Sequence, residues 1–272
     1  MKSNTRWRAV LTRHLQALGE GLAEVAFPRL CAFCSSDRNV DPDSMLCATC
    51  AGSVEPIRSP FCDRCGRPFP SFTGVPLHYC GECLSNPPAY HRARFAVEYE
   101  EPVRGAITRF KYGSAFQMAR PLSLLLAQAF QDHFSDHEID LILSIPMHRK
   151  SLIRRGFNQA LVLAERLARH TGIPLDRNSC TKTKDTAPQA GLSRKERITN
   201  LRGSFGIARA DRLAGRRVLL VDDVSTTGST VREAARIIVK KGKAERVDVL
   251  VLAVRLPSSG VSASRPETGT GV

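Results

Sequence analysis

No apolar run in this 272-residue chain approaches the ~20 residues that a membrane-spanning helix needs. The longest candidate, LSLLLAQAF at residues 122–130, stops far short, so no span is expected. The basic N-terminus is followed by neither an uninterrupted apolar core nor a small-residue cleavage site, so no secretory signal is expected and the chain reads as cytoplasmic. Acidic residues are also scarce: 26 Asp and Glu stand against 40 Lys and Arg, a formal net charge of +14. The imbalance is local. Residues 1–90 carry 9 basic and 8 acidic side chains, whereas residues 144–217 carry 17 and 5, a net of +12. Such a concentration fits a polyanion, either a pyrophosphate or a nucleic acid backbone, with a solvated basic face as the bland alternative. Tryptophan occurs once, at Trp7, and the +12 segment holds only Phe157 and Phe205 as aromatics. Few flat surfaces are therefore expected there for stacking against bases.

Paired cysteine, by contrast, is abundant. Eight of the nine cysteines fall in CAFC (31–34), CATC (47–50), CDRC (62–65) and CGEC (80–83). Each C-x-x-C presents two sulfurs on a tight turn, half of a tetrahedral site, so four pairs imply two structural zinc ions. Closing the pairs in chain order gives Cys31, Cys34, Cys47 and Cys50 one ion and Cys62, Cys65, Cys80 and Cys83 the other; interleaved pairing is the alternative. A reducing compartment argues against disulfides, and a redox role needs one pair at a helix start rather than four on a loop-rich segment. All-thiolate sites leave no open position for catalysis. His78, beside Cys80, reads as a bystander, and Cys180 as a small buried residue. The segment is too small and too rich in Pro and Gly to fold alone, so metal supplies on the order of 10 kcal/mol of its stability. Replacing Cys62 or Cys80 is expected to destabilise this module without directly touching a distant site.

Trp7, Leu11, Leu15, Leu18, Leu22 and Val25 repeat at helical spacing. This helix is expected to pack on the cysteine module, with a membrane surface or a partner as the alternative dock. From Ala93 onward strands alternate with amphipathic helices. Strands are expected near 93–99, 140–145, 178–182, 203–207, 217–222 and 247–254, and helices near 101–110, 117–134, 156–170 and 229–241. Continuous apolar runs such as LILSI and VLLV belong to a sheet covered on both faces, and the alternation makes it largely parallel. Ligands then bind at the carboxyl ends of the strands.

The stretch VLLVDDVSTTGST (218–230) carries the chemistry. A glycine- and hydroxyl-rich turn leading into a helix is a phosphate seat. It has no P-loop lysine, so it is not a nucleoside triphosphate cradle. The two carboxylates ahead of it suit the vicinal hydroxyls of a ribose, and a ribose 5-phosphate satisfies both halves. A receiver domain also places paired aspartates after a strand, but needs them at the first strand, with a phosphoacceptor aspartate and a lysine at later strand ends.

VLLVDDVSTTGST resembles the phosphoribosyl pyrophosphate (PRPP) motif of type I phosphoribosyltransferases. Together with the four C-x-x-C pairs, ITRFKYG, IPMHRKSLIRRGFNQA and QAGLSRKERITNLRGSF, it resembles the ComF family of competence-related proteins, GntX-like members included. The resemblance spans about residues 28–256. It implies an α/β fold: a mostly parallel type I phosphoribosyltransferase-like sheet flanked by helices, preceded by a small double zinc-ribbon module with four cysteines to each ion. The expected division is an N-terminal amphipathic helix at 1–27, the zinc ribbons at 28–90, the transferase-like domain at 91–256 and a disordered tail at 257–272.

The resemblance also implies roles. Asp222 and Asp223 would take the ribose hydroxyls, and Val224, Ser225, Thr226, Thr227, Gly228, Ser229 and Thr230 would complete the PRPP motif around the 5-phosphate. Met147, His148, Arg149 and Lys150 would form the pyrophosphate loop. A flexible loop around Lys184 to Arg202, with Arg194, Lys195 and Arg197, would close over PRPP. Mg²⁺ would ride mainly on PRPP oxygens and water. Thr226 stands where 6-oxopurine transferases place an aspartate, which argues against purine salvage of that type. Three functions follow: PRPP-responsive handling of single-stranded DNA with DNA-uptake proteins, pentosyl transfer to an unidentified acceptor, or PRPP sensing without turnover.

Overall fold

The segment RVLLVDDVS is apolar at four consecutive positions, as suits a strand covered on both faces, and in the computed structural model it is the middle strand of the sheet. The structure describes residues 29–69, 79–112, 116–136, 138–185 and 200–256. In chain order the strands are β1 (Arg92–Glu98), β2 (Leu141–Ser144), β3 (Leu175–Asp176), β4 (Cys180–Lys182), β5 (Phe205–Ile207), β6 (Arg217–Ser225) and β7 (Arg246–Val254). Five of them form a wholly parallel sheet in the order β1-β7-β6-β2-β3. Among the described residues the α-helices are α1 (Ala48–Ser53), α2 (Gly81–Ser85), α3 (Val103–Tyr112), α4 (Ala119–Phe134), α5 (Arg149–Arg155), α6 (Gln159–Thr171) and α7 (Ser229–Lys240). None of the described helices is long and apolar enough to cross a membrane.

The covering layers follow from helical spacing. α3 buries Val103, Ala106, Ile107 and Phe110, and α7 buries Val231, Ala234, Ala235 and Ile238, the same i, i+3, i+4, i+7 stripe in each. Leu219 and Val221 of β6 join the core formed with α3, α4 and α6, while Val218 and Leu220 join the core formed with α7. Asn158 starts α6 by accepting the Ala160 N–H at 3.1 Å, and Gly172, at φ 74°, ends it.

Two expected strands do not join the sheet. β4 and β5 pair antiparallel with each other as a separate ribbon. Each is three residues long with one buried position, too little apolar surface for a strand sandwiched between helices. The sheet's edge is instead the two-residue β3, which no run of apolar residues announces.

The cysteine module lies along the other edge. Ile57 N–H donates to Ala96 O at 3.0 Å, and Ala93 N–H donates to Arg64 O at 2.7 Å, so β1 is covered by chain from the module. Arg94 donates to Asp63 O at 2.8 Å. Gly66, at φ +69°, must be glycine because a Cβ there would sit 2.4 Å from Ala93 O. On the α3 face, Arg109 donates to the carbonyls of Ala32 and Phe33. The N-terminal helix, His78, the tail from residue 257, and Arg194, Lys195 and Arg197 lie outside the described residues.

Candidate functional site

The eight module cysteines gather into two tetrads. Cys31, Cys34, Cys47 and Cys50 form one and Cys62, Cys65, Cys80 and Cys83 the other, with the sulfurs of each within 4.8 Å of one another. A tetrahedron with Zn–S bonds of about 2.3 Å has edges of about 3.8 Å. The Cys34–Cys47 and Cys65–Cys80 sulfurs are 3.7 and 3.6 Å apart, so zinc fits both sites. The Cys62 sulfur accepts the Cys80 N–H at 3.2 Å and the Cys65 N–H at 3.5 Å; the Cys31 sulfur accepts the Cys47 N–H at 3.3 Å. Such donors suit thiolates. Bound zinc supplies cross-linking here, since each tetrad closes its coordination shell with protein sulfur. Cys180 belongs to neither tetrad, and burial pushes its thiol up to about 12.

At the carboxyl end of β6 the two aspartates diverge, because successive strand side chains point to opposite faces. Asp223 meets Lys111, from the last turn of α3, at 2.8 Å. Asp222 is 7% exposed; its Oδ1 accepts the Asp223 N–H at 2.9 Å. Burial, then the charge of Asp223, pushes the Asp222 carboxyl up to about 8, against the opposing pull of the Asp223 N–H, Lys111 and Lys182. Lys111 is held above the usual lysine range: burial lowers it, but the charge and hydrogen bond of Asp223 prevail. Lys182, on β4, is pulled below that range by burial, with Asp222 and Asp185 opposing. Each aspartate thus has a lysine in its field.

The turn beyond β6 leads into α7. Gly228 takes φ +73° and has no side chain with which to cap α7, whose opening turn starts there. Thr227 and Ser229 hydroxyls lie 2.8 Å apart. Backbone N–H groups, hydroxyls and the positive end of a twelve-residue helix converge on this turn, the chemistry of an anion seat.

The segment assigned to a pyrophosphate loop is part loop and part helix. Met147 and His148 precede α5, while Arg149 and Lys150 are its first residues. His148 Nδ1 accepts the Lys150 N–H at 3.3 Å and lies 3.4 Å from an Asp185 carboxylate oxygen. That N–H is therefore already engaged by a side chain. α5 was not anticipated, because its seven residues bury no side chain and so carry no apolar stripe.

The second tetrad reaches the turn before α7. Cys65, Arg67 and Glu82 line a water-sized cavity of about 30 Å³ together with Thr226, Thr227 and Gly228. Arg232 of α7 pairs with Glu82 at 3.1 Å and donates to Asn86 O at 3.1 Å, and Arg67 lies 4.0 Å from Glu82. Cys62 and Cys80 do not line this cavity themselves, so a change at either reaches the turn only indirectly, through Cys65, Arg67 and Glu82.

Residues 22–84 match the family model of the double zinc ribbon domain, and residues 157–266 that of the phosphoribosyl transferase domain. Over 220 residues the chain is 34% identical to competence protein F of Haemophilus influenzae, covering 79% of this chain and 93% of that protein. The chain belongs to the ComF family. DNA utilization protein YhgH of Escherichia coli K12 is 32% identical over 73% of this chain and 86% of its own length. ComFC of Bacillus subtilis is 27% identical over 82% and 94% respectively. The ComF chain thus joins a zinc-ribbon module to a phosphoribosyltransferase fold, as the resemblance implied.

Sequence reasoning gave no role to Lys111, Lys182, Arg67 or Arg232. Lys111 sits inside the quoted motif ITRFKYG, at the end of a helix whose apolar stripe brings it under β6; that stripe was the usable signal. Lys111→Met should strand the Asp223 carboxylate and lower stability by about 3 kcal/mol. Adding Asp223→Asn should recover most of that loss, which a double-mutant cycle of thermal melts would read.

Proposed function

We propose that this ComF protein binds PRPP at the carboxyl end of β6 and acts in the cytoplasm on single-stranded DNA taken up by the cell. The carrying observation is the succession, within nine residues of chain from Asp222 to Thr230, of two carboxylates at the end of β6 and a glycine- and hydroxyl-rich turn that opens α7. Asp222 and Asp223 accept the ribose hydroxyls, and the turn from Ser225 to Thr230 takes the 5-phosphate. His148, Arg149 and Lys150 border the pyrophosphate, and Arg194, Lys195 and Arg197 supply further positive charge to it. Mg²⁺, held on PRPP oxygens and water, neutralises pyrophosphate charge. The DNA half draws on the names of the relatives, a competence protein and a DNA utilization protein, and on the net +12 carried by residues 144–217.

A second reading, pentosyl transfer, is favoured by one observation. A cleft of about 670 Å³ opens at the ends of β1 and β7, lined by Glu98, Tyr99, Glu100, Glu101, Arg104 and Arg255. Arg255 N–H donates to Ser225 O at 2.8 Å, which ties the cleft to the site. An acceptor there would bond to the anomeric carbon as its bond to pyrophosphate breaks, the pyrophosphate leaving with the electron pair. Measuring DNA binding and pyrophosphate release on one preparation, with and without PRPP and Mg²⁺, separates the readings. Salt-sensitive DNA binding with no release supports the first; acceptor-dependent release with no DNA affinity at physiological salt overturns it in favour of the second.

A further inference from the structure

Close to Lys111 and Asp223 the surface carries aromatic rings that nothing in the fold requires to be exposed. Tyr112, the residue after Lys111, is 74% exposed, and Phe116 is 51% exposed. Exposed tyrosine and phenylalanine are individually ordinary. Tyr112 is tied to a cation and Phe116 to a ring cluster that reaches the buried Phe110. Arg155 of α5 lies over the Tyr112 ring at 5.3 Å, and Phe116 meets Phe157 at 5.5 Å, which in turn meets the buried Phe110 at 5.3 Å. Phe116 is therefore anchored through Phe157 on the buried Phe110, and Tyr112 is held by Arg155, while much of the surface of both stays in water. α5 itself buries no residue, leaves Ile153 74% exposed, and ends in Arg154 and Arg155. The aromatics come from residues 110–116 and most of the charge from the +12 segment, so the fold assembles what the sequence keeps about forty residues apart.

We infer that this face, Tyr112 and Phe116 with the arginines at the end of α5, is the docking surface for a single strand of nucleic acid. The inference rests on the DNA half of the proposed function and names the surface that performs it. Stacking platforms interleaved with arginine are the recognition chemistry of unpaired bases on a phosphate backbone, because every base has a flat face and every linkage a negative charge. A duplex hides its base faces and would leave the rings unused. A lipid surface would use the charge and Ile153, but α5 is only seven residues long and its exposed apolar residues, Leu152 and Ile153, are adjacent rather than spread along a stripe.

The test uses the full chain with zinc bound, a fluorescein-labelled oligothymidine of twenty nucleotides, and vesicles of anionic phospholipid. Tyr112→Ala and Phe116→Ala should each weaken oligothymidine binding roughly tenfold, as expected for loss of one stacking platform. Tyr112→Phe should bind as the parent does. Arg154→Gln should shallow the salt dependence by about 0.7 on logarithmic axes, whereas the ring variants should leave that slope alone. PRPP affinity and melting temperature should stay unchanged in all of them. Parental binding with ring variants that bind equally well overturns the surface and leaves the DNA reading standing. No parental DNA binding at physiological salt overturns both. Loss of vesicle binding with DNA binding intact assigns the face to lipid and overturns the inference.

Discussion

Asp222→Asn combined with Asp223→Asn should lower PRPP affinity at least tenfold in calorimetry, because the hydrogen bond to the charged Asp223 alone is worth about 1.5–3 kcal/mol. The single variants should move stability in opposite directions. Asp223 is paired with Lys111 at 2.8 Å, so Asp223→Asn leaves an almost buried ammonium without its counter-charge and should destabilise by about 3 kcal/mol. Asp222 is different. Its carboxyl is raised to about 8, chiefly by burial and next by the charge of Asp223, so the native state holds a proton that the unfolded chain has released above the ordinary value of 3.8. Between those two pH values the native state binds more protons than the unfolded state, and stability falls as pH rises. Asp222→Asn should therefore raise the melting temperature, by about 1–2 kcal/mol in stability, with a gain that grows from pH 5 to pH 8 and then levels. A lower melting temperature for Asp222→Asn at pH 8, or unchanged PRPP affinity in the double variant, would remove the reading of these acids.

That contrast marks what the sequence reveals and what it hides. The two aspartates, the glycine turn and the helix after it are contiguous, so their chemistry reads directly from VDDVSTTGST. The parallel sheet is legible too, since runs such as VLLV in β6 and VLVLAV in β7 need cover on both faces. The opposite fates of Asp222 and Asp223 are not, because they depend on which face of β6 each occupies and on Lys111 arriving from a helix more than a hundred residues earlier. The same holds for the ring surface at Tyr112 and Phe116, which the reading from neighbouring residues missed by counting only Phe157 and Phe205. α5 carried no apolar period, and β3 is too short to leave a pattern. Contacts between distant segments are set by packing, and no local propensity encodes them.

The two zinc tetrads should fail differently when broken. Elemental analysis should find two zinc ions per chain, each contributing on the order of 10 kcal/mol, comparable with the whole stability of a domain. Cys31, Cys47 and Cys50 sit in the same buried core as α3 and α4, alongside Ile107, Phe110 and Leu122. Cys31→Ser should therefore remove one zinc and unfold the domain broadly, with loss of the cooperative melt. Cys62 belongs to the tetrad whose neighbours Arg67 and Glu82 border the phosphate turn and whose loop covers the edge strand β1. Cys62→Ser should also remove one zinc, but the core between β6 and α7 is formed by residues outside that tetrad, so a cooperative melt should persist at lower temperature. What it should lose is the fixed position of Glu82, hence of Arg232 and the opening turn of α7. PRPP affinity should then fall at least tenfold while Asp222 and Asp223 remain in place, since misplacing a preorganised anion seat costs binding without removing any group that touches the ligand. A Cys62→Ser protein that holds one zinc, melts cooperatively and binds PRPP as tightly as the parent would show that the second ribbon only covers the sheet edge and has no part in shaping the phosphate turn.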